Sequence, residues 1–195
     1  MTLKASHQLV TADEMRQLLE AMARQIARVG SELPVVLLGI ERRGAPLAER
    51  LARLLGDQGI ASEPGRLDIN LYRDDLALVD SQPVVRKTVL PVDIRQRDVV
   101  LVDDVLFTGR TIRSALEALN DYGRARSIRL AVLIDRGRRE LPIQPDIVGR
   151  SIDSRPDEVV EVRVSEVDEE DGVWVVDRPS GSPSRGGERG AESEN

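Results

Sequence analysis

The chain has 195 residues, a net charge of −6, a single histidine and no cysteine. This excludes disulfides, thiol chemistry and a Cys/His zinc site, argues against nucleic-acid binding through bulk charge, and agrees with a cytoplasmic protein. Its length suits one α/β domain with decoration, and with Tyr72, Phe107, Tyr122 and Trp174 as its aromatic residues the core must be Val, Leu, Ile and Ala. No apolar stretch approaches the roughly 20 residues of a membrane span, so no membrane partner is expected. His7 has nothing beside it that would make a Ser-His-Asp triad.

Thr11-Ala12-Asp13-Glu14 is a capping-box pattern. Met15, Leu18, Leu19, Met22, Ile26 and Val29 follow at helical spacing, which predicts a helix over about 12–29 with Gly30 as its cap. Residues 34–38 read as a buried strand. That strand ends in Gly39-Ile40-Glu41-Arg42-Arg43-Gly44, and a second helix follows with Leu47, Leu51, Leu54 and Leu55 on one side. Strand, loop and helix with two arginines fit either an anion site or a tight turn with solvated arginines. Leu67-Asp68-Ile69-Asn70-Leu71-Tyr72 alternates like a strand with one polar face. Residues 76–98, with Pro83 and Pro91, are poorly periodic and read as a flexible arm, a hairpin or a solvated loop.

Val99-Val100-Leu101-Val102 reads as a strand buried on both faces, as in a parallel sheet. It stops at Asp103-Asp104, and a short loop carries Thr108, Gly109, Arg110 and Thr111. Ile112, Ala115, Leu116 and Leu119 then recur at helical spacing. Open α/β sheets bind ligands in this setting, at the carboxyl ends of their strands. Gly109 lets the backbone approach an anion, the helix start favours negative charge, and the two threonines and Arg110 add donors. The two carboxylates suit sugar hydroxyls, so the loop points to a phosphorylated sugar. The plainer reading is a buried strand with a capped helix beside it.

Residues 127–134 form another strand, which leads into Asp135-Arg136-Gly137-Arg138-Arg139-Glu140-Leu141-Pro142, a place for a planar ligand or an anion. Ile147-Val148 and residues 159–164 add strands. Residues 173–176 end the fold, with Trp174 either packed or at an interface. From Arg178 onward Gly, Ser and Pro dominate, so a domain over 1–177 and a disordered tail over 178–195 are expected. The fold class read from this order is α/β, a central, mostly parallel sheet flanked by helices.

The string from Val99 to Thr111 resembles the phosphoribosyl-diphosphate (PRPP) binding motif of the type I phosphoribosyltransferases, and it matches that motif throughout. It is not a Walker-A loop, because no G-x-x-x-x-G-K-[ST] string occurs. Two further strings are similar to those of the pyrimidine operon regulatory branch of this family. Asp68-Ile69-Asn70-Leu71-Tyr72-Arg73-Asp74-Asp75-Leu76 resembles its D-I-T-L-Y-R-D-D-L, and Asp135-Arg136-Gly137-Arg138-Arg139-Glu140-Leu141-Pro142-Ile143 its D-R-G-H-R-E-L-P-I.

The resemblance implies the type I phosphoribosyltransferase fold, with residues 76–98 in the region of a mobile hood. It implies uracil phosphoribosyltransferase activity (uracil plus PRPP gives UMP and diphosphate). It also implies UMP- or UTP-dependent binding to the mRNA leader of pyrimidine genes, attenuating their transcription. Asp103 and Asp104 would then hold the ribose, and Val105, Leu106, Phe107, Thr108, Gly109, Arg110 and Thr111 complete the ribose and 5′-phosphate site. Glu41, Arg42, Arg43 and Gly44 match the diphosphate loop, in which the family often has a cis peptide. Asp135, Arg136, Gly137, Arg138 and Arg139 match the uracil loop, where backbone groups read the base. Asp104, Arg42 and Arg43 are the expected catalytic residues. Magnesium would arrive bound to PRPP, with no protein ligand assigned to it.

For RNA, Arg28, Arg139 and Arg150 retain basic positions of the family's RNA face. Leu19, Ala23 and Gln144 stand where that face has Thr, His and Arg, and Arg138 replaces a His. A homodimer or larger homo-oligomer is implied as well. The alternative function is an RNA-binding nucleotide sensor whose transferase activity is vestigial.

Overall fold

The computed structural model describes residues 7–28, 33–72, 87–155 and 157–177. The expectations placed on Val29, Gly30, Arg73, Asp74, Asp75, Leu76, Pro83 and the tail 178–195 lie outside the described residues.

The runs richest in Val, Leu and Ile make the centre of the molecule. Strands β2 (Val35–Ile40), β4 (Asp98–Leu106) and β5 (Ser127–Asp135) lie side by side. The sheet is completed by β3 (Ser62–Leu67) and β6 (Ile147–Ser151), in the order β3-β2-β4-β5-β6, with every pair parallel. Successive side chains point to opposite faces of a strand. Leu37, Val100, Val102 and Leu133 therefore face one way, and pack with Met15, Leu19 and Met22 of α1 (Ala12–Ala27) and Leu47 and Leu51 of α2 (Gly44–Gly56). Val36, Leu38, Val99, Leu101 and Val132 face the other way, toward Ile112, Ala115 and Leu119 of α3 (Arg110–Asn120). Each fully buried aliphatic side chain stabilises the fold by roughly 1.5–3 kcal/mol, so both faces must stay covered.

A second, small antiparallel sheet has the order β1-β8-β7, made by His7–Val10, Gly172–Asp177 and Glu158–Arg163. Val160, Val162 and Val173 from it join the cluster beneath α1 and α2. A short helix, α4 (Ser165–Asp168), lies between β7 and β8. The Arg163 guanidinium lies 4.5 Å above the Trp174 ring, so Trp174 is packed. Among the described residues no helix is long and apolar enough to cross a membrane.

The sequence reading needs four corrections. Helix α1 stops at Ala27 with Arg28 as its cap, although its start has the expected capping box. The alternating run 67–72 is not a strand. It leaves β3 at Leu67 and turns, because the Asp68 carboxylate accepts the Asn70 N–H at 2.9 Å and a 3-10 turn (Asn70–Tyr72) follows. The strand itself lies just before, hidden by Pro64 and Gly65. It is an edge strand, and the Arg66 N–H points outward to the Val89 carbonyl. Pro64 has the same parity, so its missing N–H removes no bond to β2. Finally, β4 does not end at the acids but carries them and runs on to Leu106. Of the expected arm, the described part is fastened: Val89 bridges Arg66 antiparallel and Ile94 is fully buried.

One close approach sets where the first loop can lie. A Cβ on Gly39 would sit 2.2 Å from the Gly44 carbonyl oxygen, and one on Gly44 would sit 2.3 Å from the Val102 carbonyl oxygen. Backbone meets backbone at both points, so no side chain can yield. Gly39→Ala is expected to cost about 3 kcal/mol, the upper range for an overpacked core. Thermal unfolding should show a fall of roughly 6–12 °C for a domain of this size.

Candidate functional site

Because β2, β4 and β5 are parallel and adjacent, their carboxyl ends share one edge of the sheet. Three loops meet there: 41–43 after β2, 107–109 after β4, and 136–143 after β5. The register Leu106↔Asp135 sets the last two against each other, and the Arg136 N–H donates to the Leu106 carbonyl at 3.1 Å.

The centre is the carboxylate pair. Asp103 is buried, whereas Asp104 is partly open. The Asp104 N–H donates to Asp103 Oδ1 at 3.0 Å, and the Val105 N–H to Asp104 Oδ1 at 2.8 Å. Burial pushes the Asp103 carboxyl well up from its ordinary value, and the charge of Asp104 pushes in the same direction. Burial raises Asp104 as well, but the Arg43 guanidinium opposes it. The pair therefore resists double ionisation while empty, and hydroxyl donors placed against it would favour the charged form.

Loop 107–109 turns through Gly109, whose φ of 93° is the left-handed region open to glycine. Helix α3 starts at Arg110 with no acidic residue in its first turn, a setting that favours negative charge. Thr111 and Arg110 are exposed, and Thr108 is half-buried. The Arg110 Nε donates to Glu140 at 2.7 Å, and the Glu140 and Leu141 N–H groups donate to the Thr108 carbonyl at 3.0 and 3.1 Å. Loop 136–143 thus braces loop 107–109.

Loop 41–43 has a cis peptide between Glu41 and Arg42, as the family resemblance implies. Arg42 is exposed. Arg43 is not a free cation: its Nε and Nη2 donate to the two carboxylate oxygens of Asp168, both at 2.8 Å.

Loop 135–139 is shaped by its arginines. Gly137 and Arg138 have φ of 66° and 55°, and the Gly137 N–H donates to Asp135 Oδ1 at 2.9 Å. Arg136 turns inward and is buried. It donates to Ser154 Oγ and the Glu158 carbonyl, both at 3.0 Å, and stacks 4.1 Å from the Phe107 ring centroid. Arg138 donates to the Ser154 carbonyl at 3.0 Å. Arg139 pairs with Asp135 at 2.8 Å and donates to the carbonyls of Ile143 and Phe107 at 2.9 and 3.1 Å. The side chains of Arg136 and Arg139 hold the loop in shape and leave Gly137 and Arg138 exposed.

The structure does not gather the three arginines expected on an RNA face. Arg150 donates to the Leu9 carbonyl at 3.1 Å and to Glu14 at 3.4 Å, at the start of α1. Arg28 caps the other end of that helix, about 20 Å away at 1.5 Å per residue. Arg139 is committed to its own loop. Leu19 and Ala23 are buried in the core and present no side chain to solvent, whereas Gln144 is exposed.

The sequence reading missed three residues: Asp168, Ser154 and Glu140. Asp168 sits in an acidic run that reads as solvated surface, and only the fold brings it to Arg43. Among the described residues no group of three or more His, Cys, Asp or Glu side chains could hold a metal ion.

A phosphoribosyl transferase domain model matches residues 6–170. The chain is 53% identical over 171 residues to the bifunctional protein PyrR of Chloroflexus aurantiacus, covering 87% of this chain and 94% of that one. It is 50% identical over 174 residues to the bifunctional protein PyrR of Thermus thermophilus, covering 88% and 96%. Among solved structures it is similar to a hypoxanthine phosphoribosyltransferase of Staphylococcus aureus, with a TM-score of 0.66, 23% identity and coverage of 91% and 94%. A hypoxanthine-guanine phosphoribosyltransferase of Bacillus anthracis gives a TM-score of 0.68 at 16% identity, covering 90% and 99%. At these identities the two structures show the fold alone.

The raised carboxyl of Asp103 has a stability consequence. A carboxyl whose folded-state pKa lies above its unfolded value favours the fold below the unfolded pKa and loses that advantage as pH rises through the folded pKa. Asp103→Asn, which removes the charge but keeps an acceptor for the Asp104 N–H, should therefore stabilise the empty protein at pH 8. Every tenfold difference in proton affinity between the folded and unfolded chain is worth about 1.4 kcal/mol of that gain. Denaturant melts at pH 8 and pH 4 check this: the variant should exceed wild type at pH 8 and converge with it at pH 4.

Proposed function

The chain belongs to the phosphoribosyltransferase family, among the bifunctional PyrR proteins, and from that membership we propose a uracil phosphoribosyltransferase that also regulates pyrimidine genes through RNA. The observation that carries the transferase reading is the pairing of Asp103 and Asp104 with the Gly109 helix start on one strand and its following loop. One part accepts hydroxyl donors and the other takes an anion, which is what a ribose 5-phosphate presents.

In this reading Asp103 and Asp104 hold the ribose hydroxyls. Thr108, Gly109, Arg110 and Thr111 hold the 5′-phosphate, with Val105, Leu106 and Phe107 forming the wall between the two. Glu41, Arg42, Arg43 and Gly44 hold the diphosphate. The backbone of Asp135, Gly137 and Arg138 reads uracil, on a loop held in shape by Arg136 and Arg139. Transfer forms the bond from uracil N1 to the anomeric carbon and breaks that carbon's bond to the diphosphate oxygen. Positive charge builds on the ribose near the acids, and negative charge on the leaving group near Arg42 and Arg43. Holding uracil in line supplies the proximity effect. Asp104, partly open and raised by burial, takes the N1 proton. Phosphoribosyltransferases generally use magnesium with PRPP. Magnesium would arrive on PRPP, with no protein ligand assigned to it, and would supply neutralisation of charge on the diphosphate.

The regulatory half rests on the likeness to bifunctional relatives. UMP or UTP in the same site strengthens binding to the mRNA leader of pyrimidine genes, and attenuation follows. Arg28 is the exposed arginine of the three expected at the RNA face, whereas Arg139 and Arg150 are half-buried and bonded to the carbonyls of Ile143 and Leu9. A homodimer or larger homo-oligomer in the cytoplasm completes the reading. The alternative, a nucleotide sensor with vestigial transferase activity, uses the same ribose and phosphate site, so turnover separates the two readings.

The deciding assay is UMP formation from uracil, PRPP and magnesium, with orotate and hypoxanthine alongside. Uracil should be the preferred base. Asp104→Asn should lower kcat by about 100-fold or more, the usual worth of a positioned acid-base group. Near-normal turnover by that variant would remove Asp104 from the chemistry. For RNA, leader binding should tighten with UMP and weaken linearly in the logarithm of salt concentration. Binding indifferent to both would leave the enzyme without the regulator.

A further inference from the structure

We propose that Asp168 is a positioning residue for this transfer, holding Arg43 in the orientation that serves the leaving diphosphate. The proposal rests on the reading of loop 41–44 as the diphosphate loop.

The contact is a two-pronged one. Arg43 Nε and Nη2 meet Asp168 Oδ2 and Oδ1, each at 2.8 Å, with the side chains 29% and 16% exposed. A planar guanidinium held by both prongs has its plane and direction fixed. The other edge, with Nη1, stays uncommitted by this pair. Arg43 also lies close enough to Asp104 for each charge to act on the other, so it stands between Asp168 and the carboxylate pair.

Asp168 is itself anchored. Its Oδ2 accepts the Val164 N–H at 3.1 Å, at the start of α4. The segment around α4 is clamped from α2 by Arg50. Its Nε donates to Glu166 at 2.9 Å, its Nη2 to Ser165 Oγ at 2.9 Å, and its Nη1 to Asp171 at 3.0 Å. Arg43 and Arg50 are seven residues apart at the start of α2 and within it, about two helical turns, and so lie on one face. One helix face thus grips α4 twice, once through Arg50 and once through Arg43. The Arg43 guanidinium keeps Asp168 below the usual carboxylate range, so the pair stays charged at neutral pH. The segment between β7 and β8 becomes a working part of a site whose other residues all lie earlier in the chain.

Steady-state kinetics with PRPP and uracil varied separately test this, using Asp168→Asn, Arg43→Gln and the double variant. Asp168→Asn should raise KM for PRPP by about tenfold, the loss of one well-oriented charged contact. KM for uracil should stay within about twofold and the melting temperature within a few degrees. The double variant should be no worse than Arg43→Gln alone, because Asp168 acts through Arg43, and Asp168→Glu should recover part of the loss. If Asp168→Asn does not fold, Arg50→Gln, which loosens α4 without touching the pair, should raise KM for PRPP selectively instead. An unchanged KM for PRPP, equal changes for both substrates, or additive losses in the double variant would overturn the proposal. A lower KM for PRPP would do so too, by making Asp168 a competitor of the diphosphate. Wild-type protein that forms no UMP would overturn the functional reading, and this inference with it; an active wild type with unmoved variants would overturn the Asp168 role alone.

Discussion

Two adjacent carboxylates at the end of a strand buried on both faces are the constraint on which the rest of this structure depends. Asp103 and Asp104 extend β4 beyond its Val and Leu run, where desolvation disfavours their charge. A fold built only for stability would place apolar residues there. The neighbours answer the problem in part: the backbone amides of Asp104 and Val105 donate to the pair, and Arg43 supplies one positive charge. What remains unanswered is hydroxyl donation, and a ligand can bring it. Affinity and destabilisation of the empty site thus have one origin.

The same logic explains why a chain with net charge −6 is rich in working arginines. Each loop at the carboxyl edge is pinned by a guanidinium that belongs to it or to a neighbour. Arg136 threads under Phe107 to the stretch before β7, and Arg139 ties Asp135 to the carbonyls of Phe107 and Ile143. Arg110 joins Glu140, and Arg43 joins Asp168. A planar fork with five donors can satisfy several carbonyls at once, which a lysine cannot. With few aromatic residues and no cysteine, the chain fixes its loops by directional hydrogen bonds rather than by bulk or cross-links. Exposed pairs such as Arg110–Glu140 are worth about 1 kcal/mol at most, whereas the buried Arg136 has its donors met by Ser154 and the Glu158 carbonyl.

The parallel sheet was legible because its strands are near-continuous Val, Leu and Ile runs separated by amphipathic helices. The capping box of α1 was legible because two side chains three residues apart define it locally. The paired acids and the Gly109 turn were legible for the same reason: strand, loop and helix start are contiguous in the chain. Strand β3 was not, because Pro64 and Gly65 argue against a strand until the neighbouring edge is known to be open. The run 67–72 misled by alternating, since Leu67 ends β3 and Ile69 is buried by a turn that Asp68 closes rather than by a pleat. Asp168, Ser154 and Glu140 were invisible for a different reason. Each acts on a partner distant in sequence, and nothing in a short acidic or polar run says which arginine it will meet.

Arg42 and Arg43 show why residue type alone under-determines a site. They are consecutive and chemically identical, and nothing in the sequence separates them. The fold does: Arg42 is exposed, while Arg43 caps α2 and is gripped on one edge by Asp168. An exposed arginine can follow a charged group as it arrives and leaves, at the cost of ordering its side chain each time. A clamped one meets that cost on folding and acts at full strength where it stands. In the proposed reading the diphosphate of PRPP is met on entry by Arg42 and held at a fixed point by Arg43. The difference in setting between two neighbouring arginines therefore comes from a carboxylate more than a hundred residues away.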